Sequence, residues 1–223
     1  FPNYATIQTM NPLSELTQLF TKFPGIGPRQ AGRFAYFIMK SNAGYVENLM
    51  YQIKQVRSNM TCCPISFHYF YKKTPDQVYS PLITDKTRDP RLLMIVEKDT
   101  DIEPFEKSKS FNGHYFVLGG LAPLIDTETA QFIHIDELLT LIENKCMQRD
   151  IFPGCELGLT EVIFALGAHK EADRTTDMIK QKIEYLQGRY GFTVSTLGRG
   201  FSSGTEIEYS DTDTLVHAFK NRR

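Results

Sequence analysis

The segment FPGIGPRQAGR, residues 23–33, constrains the fold more than any other stretch of the chain. It lies between two apolar stripes of helical spacing, so one helix must stop and another start within a few residues. Upstream, Asn11-Pro12 supplies a cap and a first-turn proline, and Leu13, Leu16, Leu19, Phe20 and Phe23 follow at helical intervals. Pro24-Gly25-Ile26-Gly27 ends that helix, because glycine tolerates the positive φ of a sharp turn. Pro28 opens a second helix with the stripe Ala31, Phe34, Ala35, Ile38 and Met39. The spacing predicts a third helix from about Ala43 to Met60, with Tyr45, Leu49, Ile53 and Val56 facing inward.

The same segment carries chemistry. Gly25 and Gly27 let backbone N–H groups point outward at the start of the second helix, where the helix dipole and unpaired donors suit a phosphate. Arg29 and Arg33 share one helical face beside that end. The pattern is a helix-hairpin-helix, which grips a nucleic-acid backbone without reading bases. The plainer alternative is a helical turn with two solvated arginines. Lys22 and Lys40 extend the candidate set. Residues 11–60 hold six basic side chains against two acidic ones, although the whole chain carries a net charge of −1. Acid collects at Glu97, Asp99, Asp101, Glu103 and Glu106, and again at residues 206–213. This asymmetry reads either as a nucleic-acid face beside a different surface or as ordinary scatter of solvated charge.

Residues 61–90 lose periodicity and hold Cys62, Cys63, four prolines and many aromatics, which reads as a linker or small irregular module. Beyond them come short apolar runs at 92–96, 115–118 and 161–166, expected as buried strands of a parallel sheet. Helical stretches at about 136–148 and 175–187 alternate with them, which argues an α/β layer. A strand at 193–197, a glycine-rich turn at 198–204, a strand near 206–209 and a helix begun by Asp211 complete the pattern. The turn suits a hairpin or a phosphate nest, and Arg199 within it is placed to help line a DNA channel.

A chain of 223 residues, 41% apolar, can build a core without staples. No apolar run is long enough to span a membrane and no secretory leader is evident, so a cytoplasmic protein is expected. Four cysteines suit a reducing compartment. Met10 is the expected natural start, with residues 1–9 an extra tail. Walker A, GxGxxG, GxSxG and HExxH motifs are absent. His68, His114, His134, His169 and His217 are scattered and receive no role. Cys146 and Cys155 are expected to be buried small hydrophobes.

Four motifs in order resemble the bacterial recombination mediator RecR family. The hairpin is similar to the family's LPGIGPKSAQRLA. TRDPRLLMIVEKDTDIEPFE (87–106) resembles its RD…VVE…D…E opening of a Toprim domain. NGHYFVLGGLAP (112–123) and RGFSSGTEIEYSDTDTLVHAFKNRR (199–223) resemble its GxYHVLGGxLSP and RGLPxGxELEYxDxxTLxxALxxR. The resemblance implies an α/β multi-module chain: a helix-hairpin-helix module at 10–60, a degenerate zinc-finger-like segment at 61–90, a Toprim domain at 91–188 and a C-terminal strand-turn-strand-helix extension at 189–223. It implies DNA binding in recombinational repair, at gapped or single-strand/duplex junctions, with RecO-like and RecF-like partners and RecA loading. A ring-like homo-oligomer, dimer or tetramer, is implied too. DNA contact then falls to Gly25, Gly27, Arg29 and Arg33, with Lys22 and Lys40, and Glu97, Asp101 and Glu103 are candidates for a partner surface or for a solvated acidic loop.

The sequence departs from the family in two places. A four-cysteine zinc site is implied between the helical module and the Toprim domain, yet its second pair falls on Ser80 and Ile83, and its first near Cys62 or Cys63 with no cysteine three positions on. Cys62, Cys63 and His68 cannot complete a tetrahedral set, so no cofactor is expected, and packing of Phe67, Tyr69, Phe70, Tyr71 and Tyr79 is expected to replace the metal. Catalytic Toprim proteins also pair a strand-end glutamate with two metal-binding aspartates. Glu97 is present, but the aspartate positions hold Gly167 and His169, while Glu171 and Asp173 flank Ala172 further on. A non-enzymatic role is therefore expected. The competing classes are a Mg²⁺-dependent Toprim nuclease or topoisomerase-like enzyme, and a relative that binds protein and not DNA.

Overall fold

A computed structural model describes residues 11–122 and 133–197. The N-terminal tail, the glycine-rich turn at 198–204 with Arg199, the strand near 206–209 and the final helix lie outside the described residues. The chain forms two compact units, residues 1–59 and 60–223. No helix among the described residues is long and apolar enough to cross a membrane.

The first unit is helical: α1 (Pro12–Thr21), α2 (Pro28–Lys40) and α3 (Ala43–Asn59). Asn11 caps α1, its side-chain oxygen accepting from the Leu13 N–H at 3.0 Å. α1 packs on α2 through the small side chains Ala31 and Ala35, both fully buried, and through an edge-on contact of Phe20 with Phe34 at 5.8 Å. The expected inward stripes need correction. Phe34 and Met39 on α2, and Tyr45, Ile53 and Val56 on α3, are exposed. An amphipathic stripe is buried only when another element faces it. α1 covers one side of α2, and α3 has no comparable partner among the described residues.

The second unit is a mixed α/β layer. Its four-stranded sheet is wholly parallel in the order β4-β3-β5-β6, from β3 (Asp89–Val96), β4 (Gly113–Val117), β5 (Glu161–Ala165) and β6 (Thr193–Thr196). The pairing runs Val96 with Val117, Val96 with Ala165, and Phe164 with Thr196. Alternate residues feed opposite faces. Leu93, Ile95, Phe116, Val162 and Phe164 pack with α6 (Ile135–Cys146) and α7 (Lys170–Tyr190) through Leu138, Ile142, Ile179 and Ile183. Met94, Val96, Tyr115 and Val117 pack under α5 (Ile102–Ser108) through Ile102 and Phe105. Each fully buried Phe or Ile contributes about 1.5–3 kcal/mol of transfer free energy. Gly113 is required where β4 meets β3: a Cβ there would lie 2.7 Å from the Leu92 carbonyl oxygen.

Residues 61–90 are more ordered than their composition suggests. β1 (Met60–Cys62) pairs antiparallel with β2 (Tyr69–Tyr71), and α4 (Pro81–Thr84) follows. This segment is part of the second unit's core, not a linker: Cys63, Phe70 and Ile83 join the α6–α7 face, and the Val117 N–H donates to the Ser66 carbonyl at 2.8 Å. α7 begins five residues before the expected helix, at Lys170. Glu171 and Asp173 stand in its first turn, where the helix dipole favours acid. α5 was missed because its seven residues read as part of an acidic run.

Candidate nucleic-acid interface

The hairpin between α1 and α2 is built by its own backbone. α1 ends as the Lys22 and Phe23 N–H groups donate back to Leu19 and Phe20. Gly25 takes φ +74°, and the Ile26 N–H closes the turn on the Phe23 carbonyl at 3.1 Å. Gly27 is the N-cap of α2 with φ −80° and ψ 167°, so it has no need of the left-handed region. Its carbonyl accepts from Gln30 and Ala31. The N–H groups of Gly25, Gly27 and Arg29 have no acceptor among the described residues. Pro28 has no N–H, so these three are the free donors of the turn and the helix start.

Arg29, Arg33 and Lys40 lie within about 40° of one another around α2 at a turn of roughly 100° per residue. That stripe is turned away from the buried Ala31/Ala35 seam. Lys22 stands at the C-cap of α1. All four cations are exposed, and none is ion-paired among the described residues. Unpaired Arg29 and Arg33 beside free N–H donors have the chemistry to accept phosphate oxygens without reading a groove.

The acidic candidates occupy the other unit. β3 and β5 lie side by side, and the chain runs from β3 to β4 on one side and from β5 to β6 on the other, so their carboxyl ends mark the switch point of the sheet. Glu97 follows β3 there. Its carboxylate is 3.0 Å from Lys98 Nζ, a contact that raises the Lys98 pKa. Asp101 accepts from the Lys98 N–H at 3.0 Å and so closes a 3₁₀ turn. Glu103, in the first turn of α5, pairs with Lys107 at 2.7 Å, and that lysine holds the Glu103 carboxyl below its ordinary range. Each acidic candidate thus has a partner in its own chain. The Glu103–Lys107 spacing of four residues becomes an ion pair only because 102–108 is helical; the Lys98 contacts needed the turn.

Among the described residues no cluster of three or more His, Cys, Asp or Glu can hold a metal. The residues at the expected zinc positions do not fit that ion. Cys63, Ser66, Ser80 and Ile83 are all buried, and they offer one thiol, two hydroxyls and a hydrocarbon. Cys146 and Cys155 are buried apolar fillers, as expected from sequence; burial pushes the Cys146 thiol up to about 11. Of the five aromatics expected to stand in for metal, Phe70 is buried and Phe67 and Tyr79 pack at the edge of the core. Tyr69 and Tyr71 are exposed, because they alternate with Phe70 on the outer side of β2.

No family model matches the chain. Its likeness to individual proteins is nevertheless broad. It is 30% identical over 211 residues to Recombination protein RecR of Cutibacterium acnes, covering 95% of this chain and 94% of that one. It is 30% identical over 213 residues to Recombination protein RecR of Bdellovibrio bacteriovorus, covering 96% and 97%. It is 26% identical over 219 residues to the protein of that name from Cyanothece, covering 98% of each. Identity at this level, sustained from end to end through both units, shows that the chain belongs to the RecR family.

Proposed function

We propose that the chain is a DNA-binding recombination mediator that acts in DNA repair. The observation that carries this reading is the start of α2: three free backbone N–H donors beside Arg29 and Arg33, which are turned away from the seam with α1, with Lys40 on the same stripe at the far end of the helix. Such a surface holds a phosphate backbone independently of sequence. In this reading residues 10–60 are a helix-hairpin-helix module, 61–90 a degenerate finger, 91–188 a Toprim domain and 189–223 its C-terminal extension. The protein works in the cytoplasm at the nucleoid, on gapped or junction DNA, with RecO-like and RecF-like partners that bind near Glu97, Asp101 and Glu103. It assembles as a ring-like homo-oligomer. Support for assembly comes from the helical unit, where the large apolar side chains Phe37, Met39, Tyr45, Ile53 and Val56 on α2 and α3 are exposed. Support for a binding role over a catalytic one comes from the sheet's switch point, where Glu97 is engaged by Lys98, and Gly167 and His169 stand in place of metal-binding aspartates.

Fluorescence anisotropy with a gapped duplex, titrated across salt, tests the reading. Wild type should lose affinity linearly in log salt, with a slope near −0.9 per phosphate neutralised. Arg29→Ala/Arg33→Ala should reduce that slope by about two units. Absence of binding at low salt, at concentrations that permit assembly, rejects the DNA reading and favours a protein-binding relative. Mg²⁺-dependent nicking abolished by Glu97→Gln would favour an enzyme.

A further inference from the structure

The residues at the expected zinc positions fail as ligands, yet they converge. Cys63 Sγ accepts from the Ser80 N–H at 3.4 Å. Ser80 Oγ accepts from the Leu82 N–H at 3.2 Å, capping α4, and lies 3.1 Å from His68 Nδ1. Burial lowers the His68 pKa, and one hydrogen, from the hydroxyl or from the ring according to the tautomer, joins the pair. The Cys63 N–H donates to the His68 carbonyl, and the Phe67 N–H to the Cys63 carbonyl, each at 2.9 Å. These bonds close the 63–68 knuckle on the 80–83 turn. Below them, the hydrocarbon of Ile83 and the ring of Phe70 run into the core of the second unit. A structural zinc ion would draw two loops together through four soft ligands. Here every group at that point is already committed to hydrogen bonds or to packing, apart from Ser66 Oγ, which is buried without a partner among the described residues. A hydroxyl is not a ligand of structural zinc sites.

We infer that residues 61–84 are a metal-free finger, closed by the Cys63–Ser80–His68 hydrogen bonds and by Ile83 and Phe70 in the space a zinc ion would organise. The finger is therefore a permanent part of the α/β core and does not open on chelation. The inference is independent of the DNA reading, because it concerns only how this segment is held.

The test uses the full chain. Purified wild type should contain far less than one zinc per chain, and its Tm should not move with EDTA or with added Zn²⁺. Stoichiometric zinc, or a Tm that falls on chelation, overturns the inference. Cys63→Val keeps the side-chain volume and cannot bind metal. It should lower Tm by about 2–4 °C and speed hydrogen exchange at the Ser80 amide alone. Loss of protection across 61–84 that chelation reproduces in the wild type would show that the thiol held a metal, and would overturn the inference. Ser66→Cys/Ser80→Cys/Ile83→Cys supplies C-x₂-C pairs at 63/66 and 80/83. It should take up one zinc per chain and acquire a chelator-sensitive Tm. A folded triple variant that takes up none would mean that the four positions do not converge as described.

Discussion

Lys145 Nζ, almost completely buried, donates to the Pro90 carbonyl oxygen at 2.6 Å across 55 residues of sequence. The ammonium also lies 5.4 Å from the centre of the Phe152 ring. It ties α6 to the second residue of β3, one of the two inner strands. Burial brings its pKa from 10.5 down to about 8, against the opposing pull of Cys155 and Glu156.

Lys145 should therefore make stability rise with pH in the alkaline range. Between pH 8 and 10.5 the unfolded chain keeps a proton that the folded chain has shed. The contribution is complete above the unfolded value and is lost as pH falls through the folded one. Lys145→Met abolishes it. Denaturant unfolding at the two ends of the window should show the wild type gaining about 3 kcal/mol relative to the variant as pH rises. A difference that stays constant with pH would contradict this.

His114 should govern part of the acid limb. Its ring is buried beneath the sheet edge, and burial, with Lys145 and Arg88 nearby, lowers its pKa from 6.5 to about 3. The folded chain needs the neutral ring, so its contribution is whole above the unfolded value and is lost as pH falls towards the folded one. His114→Phe cannot be protonated. Between pH 6.5 and about 4 the wild type should lose roughly 3 kcal/mol more than the variant, read from denaturation midpoints.

Gly25 and Gly27 should respond differently to substitution. Neither has an atom within 4 Å of an added Cβ, so space is not the issue. Gly25→Ala places a side chain at φ +74°, and should cost about 1–2 kcal/mol. Gly27→Ser keeps an ordinary φ of −80° and adds the N-cap oxygen that α2 lacks. Hydrogen exchange of the α2 amides should quicken in the first variant and hold or slow in the second.

Asp99 should fasten the finger hairpin to the sheet. Its carboxylate accepts from the Tyr69 N–H at 2.7 Å, thirty residues away. Asp99→Ala should cost about 1 kcal/mol. Tyr69 amide exchange should accelerate, while β3 and β4 amides keep their protection. Uniform loss of protection would mean that Asp99 serves the whole sheet.

Local pattern carried the reading of the elements. The caps Asn11 and Pro12, the breaker at Pro24–Gly27 and the strands at 92–96 and 161–165 were legible because dihedral limits and side-chain period act over a few residues. Burial was less so: Ile53 and Val56 have the spacing of an inward face and are exposed, since periodicity marks a stripe without saying what covers it.

By itself, then, the sequence determined that a basic helical hairpin precedes a parallel α/β layer, that Cys146 and Cys155 are interior fillers, and that zinc ligands are missing. Only the tertiary structure decided what the vacant ligand positions became. It brought Cys63 against Ser80 and Ile83 into the same core as Phe70, and set Lys145 beneath Pro90. It also paired Glu97 with Lys98 at the sheet's switch point. The physical reason is range. Capping, turns and period are fixed by neighbours in the chain, whereas a buried polar group takes its partner from whatever residue the packing places beside it.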